Sequence, residues 1–179
     1  SQSGNAGKFL KTDGSSLSYD SAGITMAQTW RLTSSFGISS NSGGTDVTSN
    51  FEIADTYGYG GIGSNMSQSS GIFTFPSTGI YLIQFSAGHT TSGSINWSQI
   101  EIRSTQNNGS NWYIAAYGYA GLWNGGAYQS SYCQFMFDVT DTSTHKIKFA
   151  VQGSNANSQI VGSSNQNQTI FQFTKLGET

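Results

Sequence analysis

Gly71–Phe85, GIFTFPSTGIYLIQF, holds the only proline of the chain, Pro76, between two alternating aromatic runs. Successive side chains on a strand point to opposite faces, so Phe73 and Phe75 share one face of a first strand. Tyr81, Ile83 and Phe85 share one face of a second. Pro76 presets a backbone angle suited to a turn, and Gly79 relieves strain where the chain re-enters the sheet. The stretch reads as two strands joined by a proline-led turn, a local hairpin signal.

The same texture continues outward. Further strand-like runs are Gln28 to Phe36, Trp97 to Thr105, Asn111 to Ala120, Ala127 to Thr140, His145 to Gly153 and Gln168 to Leu176. Gly71 to Phe75 and Gly79 to Thr90 complete the set. Alternation assigns faces. Ile100 and Ile102 oppose Gln99, Glu101 and Arg103; Ile147, Phe149 and Val151 oppose Lys146 and Lys148; Phe171 and Phe173 oppose Gln172 and Thr174. One buried and one solvated face is the antiparallel pattern. Asn108-Gly109 and Asn124-Gly125-Gly126 supply the positive backbone angles of tight turns. No segment keeps helical spacing for three turns. The expected class is all-β, an antiparallel sandwich or barrel.

Residues 1–27 read differently. They carry an Asp13-Gly14 turn and only brief apolar touches at Phe9, Leu10, Leu17 and Tyr19. They are expected to form a neck or linker that packs in an oligomer, ahead of one domain over residues 28–179. Gly37 to Asn50 reads as a long loop.

Charged residues make up only 9% of the chain, and Ser, Thr, Asn, Gln and Gly fill their places. With 13% aromatics this is a foldable composition with an uncharged polar surface. The net charge of −2 and scattered Lys and Arg exclude the clustered basic footprint of a nucleic-acid binder. Long apolar runs are absent, so no membrane insertion is expected, and the N-terminal residues lack a signal-peptide core. A single cysteine, Cys133, permits no intrachain disulfide; beside Phe135, Phe137 and Val139 it reads as a small buried hydrophobe.

No catalytic motif stands out, and the expected protein is not an enzyme. Gly58, Gly60 and Gly63 match a dinucleotide-loop spacing, but SNMSQSSG rather than a helix pattern follows. His145, after a turn-like run, reads as a surface histidine, and neither it nor His89 has a second ligand at metal spacing. No cofactor is expected; Asp46, Glu52, Asp55, Asp138 and Asp141 are the candidate calcium ligands, with solvated turn aspartates as the bland alternative. The strongest functional signal is aromatic. Trp97, Trp112, Tyr113, Tyr117, Tyr119, Trp123 and Tyr128 crowd a region rich in Asn, Ser and Gly. Such rings beside amides suit sugars or partner proteins, or else fill a core or an oligomer seam.

With these strands laid out, Gln28 to Gly177 resembles the C1q-like, tumour necrosis factor-like jelly-roll family. Phe73, Thr74, Pro76, Gly79 and Tyr81 match its F-T-x-P-x-x-G-x-Y turn, and Thr169–Gly177, TIFQFTKLG, is similar to its closing strand. The neck GNAGKFLKTDGSSLSY, with FEIADTYGYGGIG and FDVTDTSTHKIKF, resembles C-terminal tail-fibre or related host-recognition proteins of aquatic bacteriophages and viruses. The resemblance implies a homotrimer at a fibre tip, on a virion surface or otherwise extracellular, recognising a host cell-surface glycan or protein. Its alternative is a purely structural trimerisation or capsid-decoration domain. No collagen-like G-X-Y repeat precedes the domain, and the variable loops allow no receptor residue to be carried over.

Overall fold

A computed structural model describes residues 3–21, 23–38, 43–122 and 125–179, and these contain strands and no helix. In chain order the strands are β1 (Lys8–Thr12), β2 (Leu17–Ser21), β3 (Met26–Leu32), β4 (Ser34–Gly37) and β5 (Thr45–Asp46). Next come β6 (Phe51–Ile53), β7 (Ser67–Ser69), β8 (Ile72–Thr74), β9 (Gly79–Thr91) and β10 (Ile95–Thr105). The last five are β11 (Tyr113–Leu122), β12 (Tyr128–Val139), β13 (Lys146–Gly153), β14 (Ser158–Ser163) and β15 (Thr169–Gly177).

Two antiparallel sheets face each other. One runs β11-β10-β13-β8-β7, with β5 also on β13; the other runs β12-β9-β15-β3-β6, with β14 and β4 continuing along β9 beyond β15. The interdigitated order is that of a jelly roll, which places the two hairpin-linked layers over one core.

The Gly71–Phe85 stretch is not a hairpin. β8 pairs with β13 and β7, while β9 pairs with β12, β14 and β15, so Pro76 marks a corner where the chain crosses between sheets. Burial explains the outcome. In a hairpin both aromatic runs would lie on one sheet and still need a cover; across the corner each run covers the other. Phe73, Phe75, Tyr81, Ile83 and Phe85 all enter the same core. Phe73 meets Trp30, Phe51, Phe149 and Phe173 with ring centroids 5.1–5.5 Å apart. Phe85 stacks on Phe171 at 4.7 Å.

The other alternations hold. Ile100, Ile102, Ile147, Phe149, Val151, Phe171 and Phe173 are all fully buried. The expected Gln28–Phe36 strand, however, is split at Thr33, whose amide donates to the carbonyl of Asn50 at 2.8 Å. Beyond the break, β4 pairs with β14 instead of β15. The Gly37–Asn50 loop contains β5, and its residues 39–42 lie outside the described residues.

Two polar expectations are corrected. Glu101 and Gln99 do point away from the core, yet both are buried: Arg103 and Gly44 lie over Glu101, and the Gln99 amide donates to Glu101 Oε1. His145 is buried, stacked on Phe137 at 5.5 Å, rather than on the surface. His89 is buried too, between the sheets.

The first segment forms a hairpin, β1 with β2, closed by Asp13, whose Oδ1 accepts the amides of Ser15 and Ser16 at 2.8 Å. Lys11 and Asp20 form an ion pair on it at 2.6 Å. Leu10 and Tyr19 are paired and Leu17 lies on the same face, all exposed. A lone two-stranded hairpin is marginal in water. Phe9 and Asp20 line a shallow concavity with Leu176, Gly177 and Glu178, so the hairpin marks the end of the sandwich where β15 finishes.

Candidate functional site

Pairing registers define two ends of the sandwich. The Pro76 corner, the start of β9 and the end of β15 lie near the hairpin. Thr91, Ile95, Leu122, Tyr128 and Gly153 lie at the opposite end.

The seven aromatic candidates do not form one site. Tyr117 and Tyr119 stand opposite Glu101 and Gln99 on the outer face of the six-stranded sheet. Both are 57% exposed. Tyr119 meets Tyr117 edge-on at 5.3 Å and Trp97 edge-on at 6.0 Å, giving a continuous run of three rings toward the end far from the hairpin. Trp112 sits nearer the hairpin end, with the Lys148 ammonium 4.5 Å from its ring centroid, a cation–π contact that fixes it. Tyr113 edges an opening of about 400 Å³ between β11 and β12, walled by Phe135 and Phe137 and rimmed by Ser104, Thr105, Gln106 and Asn107. Tyr128 belongs to the other sheet, opposite Thr90. Trp123 lies outside the described residues, as does Asn124 of the expected turn.

Tyr128 borders a concavity of about 330 Å³ with Gly88, Gln129, Ser130, Val161 and Gln168. Five of these six residues had no functional reading in the sequence. A signal did exist: Gly88 interrupts a long alternating strand, and an interior strand glycine marks a bulge or a close approach. Here the Gly88 amide donates to the Gln168 carbonyl at 3.0 Å.

The outer face of the seven-stranded sheet is nearly free of charge. Across β12, β9, β15 and β3 it presents Tyr132, Gln134, Met136, Ile80, Leu82, Gln84, Ile170, Gln172, Thr174 and Leu176, bounded by Asp138 and Arg31. Gln84 Nε2 donates to the Tyr132 hydroxyl at 2.6 Å, which donates to Gln134 Oε1 at 2.7 Å. Arg31 is buried among Glu52, Asp55, Thr56 and the Ser164 carbonyl, which ties two loops over the edge of this face.

The carboxylates named for calcium are dispersed. Asp46 is paired with Arg103 and Lys148, and Glu52 and Asp55 with Arg31. Asp141 accepts from the Ser143 hydroxyl and amide, which lowers its pKa. Asp138 is exposed. Among the described residues no three His, Cys, Asp or Glu side chains converge as a metal site would need.

His89 is fully buried, with Nε2 2.6 Å from Ser131 Oγ and Nδ1 2.9 Å from Ser98 Oγ. It bridges β9, β10 and β12, and desolvation holds its pKa down to about 4. Burial likewise pushes the Cys133 thiol up to about 12, so it packs as a hydrophobe. The Gly58–Gly63 segment is a loop: Ile62 exchanges two backbone hydrogen bonds with Ala27, and Thr29 donates its amide to the Tyr59 hydroxyl at 3.0 Å. No helix of the described residues is long and apolar enough to cross a membrane.

No protein-family model matches the chain, and no curated protein matches it either. Solved structures do. Murine APRIL at pH 5.0 superposes with a TM-score of 0.61 at 14% identity, over 84% of this chain and 98% of that one. The Eiger TNF of S. frugiperda gives 0.61 at 10% identity, over 88% and 96%. Murine APRIL at pH 8.5 gives 0.56 at 17% identity, over 84% and 99%. Together with the sheet order and the Pro76 corner, these similarities make the chain a jelly-roll domain of the C1q-like, tumour necrosis factor-like fold.

Proposed function

We propose that this chain is a non-enzymatic, homotrimeric recognition module that binds a cell-surface ligand outside the cell, with its neck at one end and its ligand surface toward the other. The observation that carries the reading is the Trp97–Tyr119–Tyr117 ring run, two exposed tyrosines leading to a half-buried tryptophan, which lies away from the N-terminal hairpin. Rings held in contact lose little entropy on binding and offer apolar faces, and the surrounding Asn and Gln orient a polar ligand. A host glycan fits that surface better than an ion or a nucleic acid does. Three equivalent weak sites would act through avidity.

Support for self-association comes from the seven-stranded sheet. Charge depletion together with Tyr and Met is the composition of an interface core, and Tyr132 and Met136 stand exposed on that face. The viral fibre-tip setting follows from the resemblance of the neck and loops alone.

Two measurements test the reading. Multi-angle light scattering is expected to give three times the monomer mass, and a stable monomer at micromolar concentration overturns the trimer. Cell or glycan-array binding is expected to fall in Trp97→Ala and Tyr119→Ala while assembly persists. If both variants dissociate instead, the rings belong to a subunit seam and the domain is a trimerisation or capsid-decoration element.

A further inference from the structure

We propose that the concavity beside Gly88 is a second binding site, built for a neutral hydroxylated ring: an uncharged pyranose or a short neutral saccharide. The site arises from a change of partner along β9. Strand β15 pairs with it up to Thr169 opposite Ala87, and β14 takes over from Ile160 opposite His89. At the gap Gly88 donates its amide to the Gln168 carbonyl at 3.0 Å and presents no side chain outward. The missing side chain and the departing loop leave the 330 Å³ concavity, within the roughly 300–1,000 Å³ of small-ligand sites.

The walls select the ligand class. Tyr128, 73% exposed, supplies one aromatic face. Ser130 and Gln168 supply hydroxyl and amide groups, and Val161 one aliphatic edge. Among the described residues no side-chain hydrogen bond engages Tyr128 or Ser130, so their hydroxyls are open to a ligand. No charged residue lines the concavity, so neither an anion nor a cation finds a counter-charge. One aliphatic side chain in an open dent is too little for a lipid tail. A ring with apolar C–H faces and a girdle of hydroxyls matches an aromatic wall with neutral donors and acceptors.

The site shares the carbohydrate chemistry of the proposed function and none of its residues. It therefore stands or falls separately from the Trp97–Tyr119 surface, while it shares the outer face of the seven-stranded sheet with Tyr132, two residues along β12 from Ser130.

Saturation-transfer NMR with neutral mono- and disaccharides tests it, with N-acetylneuraminic acid and glucosamine as charged controls. At least one neutral sugar is expected to bind with Kd on the order of 1 mM, weakened roughly tenfold in Tyr128→Ala and measurably in Gln168→Ala. Neither side chain is in the core, so thermal melts of both variants should match the parent. The Trp97→Ala variant is expected to bind that sugar normally. The proposal is overturned if no neutral sugar binds, if charged sugars bind equally well, or if Tyr128→Ala and Gln168→Ala bind like the parent. Loss in Trp97→Ala alone would also overturn it, while supporting the first surface.

Discussion

The Tyr81 hydroxyl donates to the Ser77 carbonyl oxygen at 3.0 Å, four residues upstream, and ties the Pro76 corner to the first turn of β9. The ring itself is fully buried and lies 4.7 Å from Phe75, on the other side of the corner. One residue thus fills the core and satisfies a carbonyl that neither sheet pairs. Tyr81→Phe keeps the ring and removes the donor. The expected loss is about 1 kcal/mol, or roughly 2–4 °C in Tm for a chain of this size. Thermal unfolding followed by near-UV circular dichroism reads it, and an unchanged melt would leave the hydrogen bond without energetic weight.

Gly79 sits at φ +142°, and a Cβ there would run into the Lys175 side chain and reach 2.6 Å from the Gly177 carbonyl. Both strain terms point the same way. Gly79→Ala is expected to cost about 1–3 kcal/mol, more than Tyr81→Phe. Gly177→Ala is the control, since a Cβ there meets nothing within 4 Å and the backbone is not left-handed. Denaturant titration of the pair should separate them. Equal midpoints would mean the corner tolerates a side chain.

The interior was largely legible and the surface was not, for a physical reason. Alternation says which side chains share a face, so Ile147, Phe149 and Val151 could be placed inside from their own spacing. It does not say which strands pair, and for that reason the Pro76 corner read as a hairpin. Short strands such as β5, β7 and β14 gain their order from partners rather than from their own pattern. Glu101 alternates as a solvent-facing residue should; its cover comes from residues near 44, far away in the chain. Tyr117 and Tyr119 share a face by their spacing, but Trp97 joins them only through the pairing of β10 with β11. Tyr128, close by in sequence, ends up on the opposite sheet.

Arg103 donates from Nε to Glu101 Oε2 at 2.6 Å, and from its other nitrogens to the Gly43 carbonyl at 2.6 Å and Asp46 at 3.3 Å. Glu101 has no exposure, so its charge depends on that guanidinium and on the Gln99 amide. Arg103→Met strands a buried carboxylate and is expected to cost on the order of 3–5 kcal/mol. The double variant Arg103→Met, Glu101→Gln removes the orphan charge and should recover much of that loss. Urea titrations of the single and double variants decide it; a double variant no better than the single would show that the guanidinium acts by packing.

His89 makes stability depend on pH with a definite sign. Burial between Ser98 and Ser131 holds the folded-state pKa down to about 4, against an ordinary 6.5. Between these values the unfolded chain carries the extra proton, so acid favours unfolding. The stabilisation is fully present above pH 6.5, declines as pH falls toward 4, and changes no further below that. The full span is on the order of 3 kcal/mol. Unfolding free energies at pH 7.5, 5.5 and 4.5 should fall more steeply in the parent than in His89→Gln. Carboxylates titrate in both proteins, so parallel slopes would remove His89 as the cause.

Met136 stands 60% exposed opposite Leu82, on an outer face whose charges lie at its margins, Asp138 on one side and Arg31 paired with Glu52 and Asp55 on the other. If three copies pack through this face, a carboxylate at its centre must be desolvated in every subunit, which costs several kcal/mol per ion without a partner. Inside the isolated chain the same carboxylate would remain in water and cost little, since outward positions away from buried features change stability by about 0.5 kcal/mol or less. Met136→Asp is therefore expected to convert trimer to monomer while leaving the β-sheet circular dichroism spectrum intact. Tyr119→Ala, on the opposite sheet, should leave the mass unchanged. Light scattering on the two variants reads both outcomes, and a Met136→Asp trimer as tight as the parent would move the subunit contact off the seven-stranded sheet.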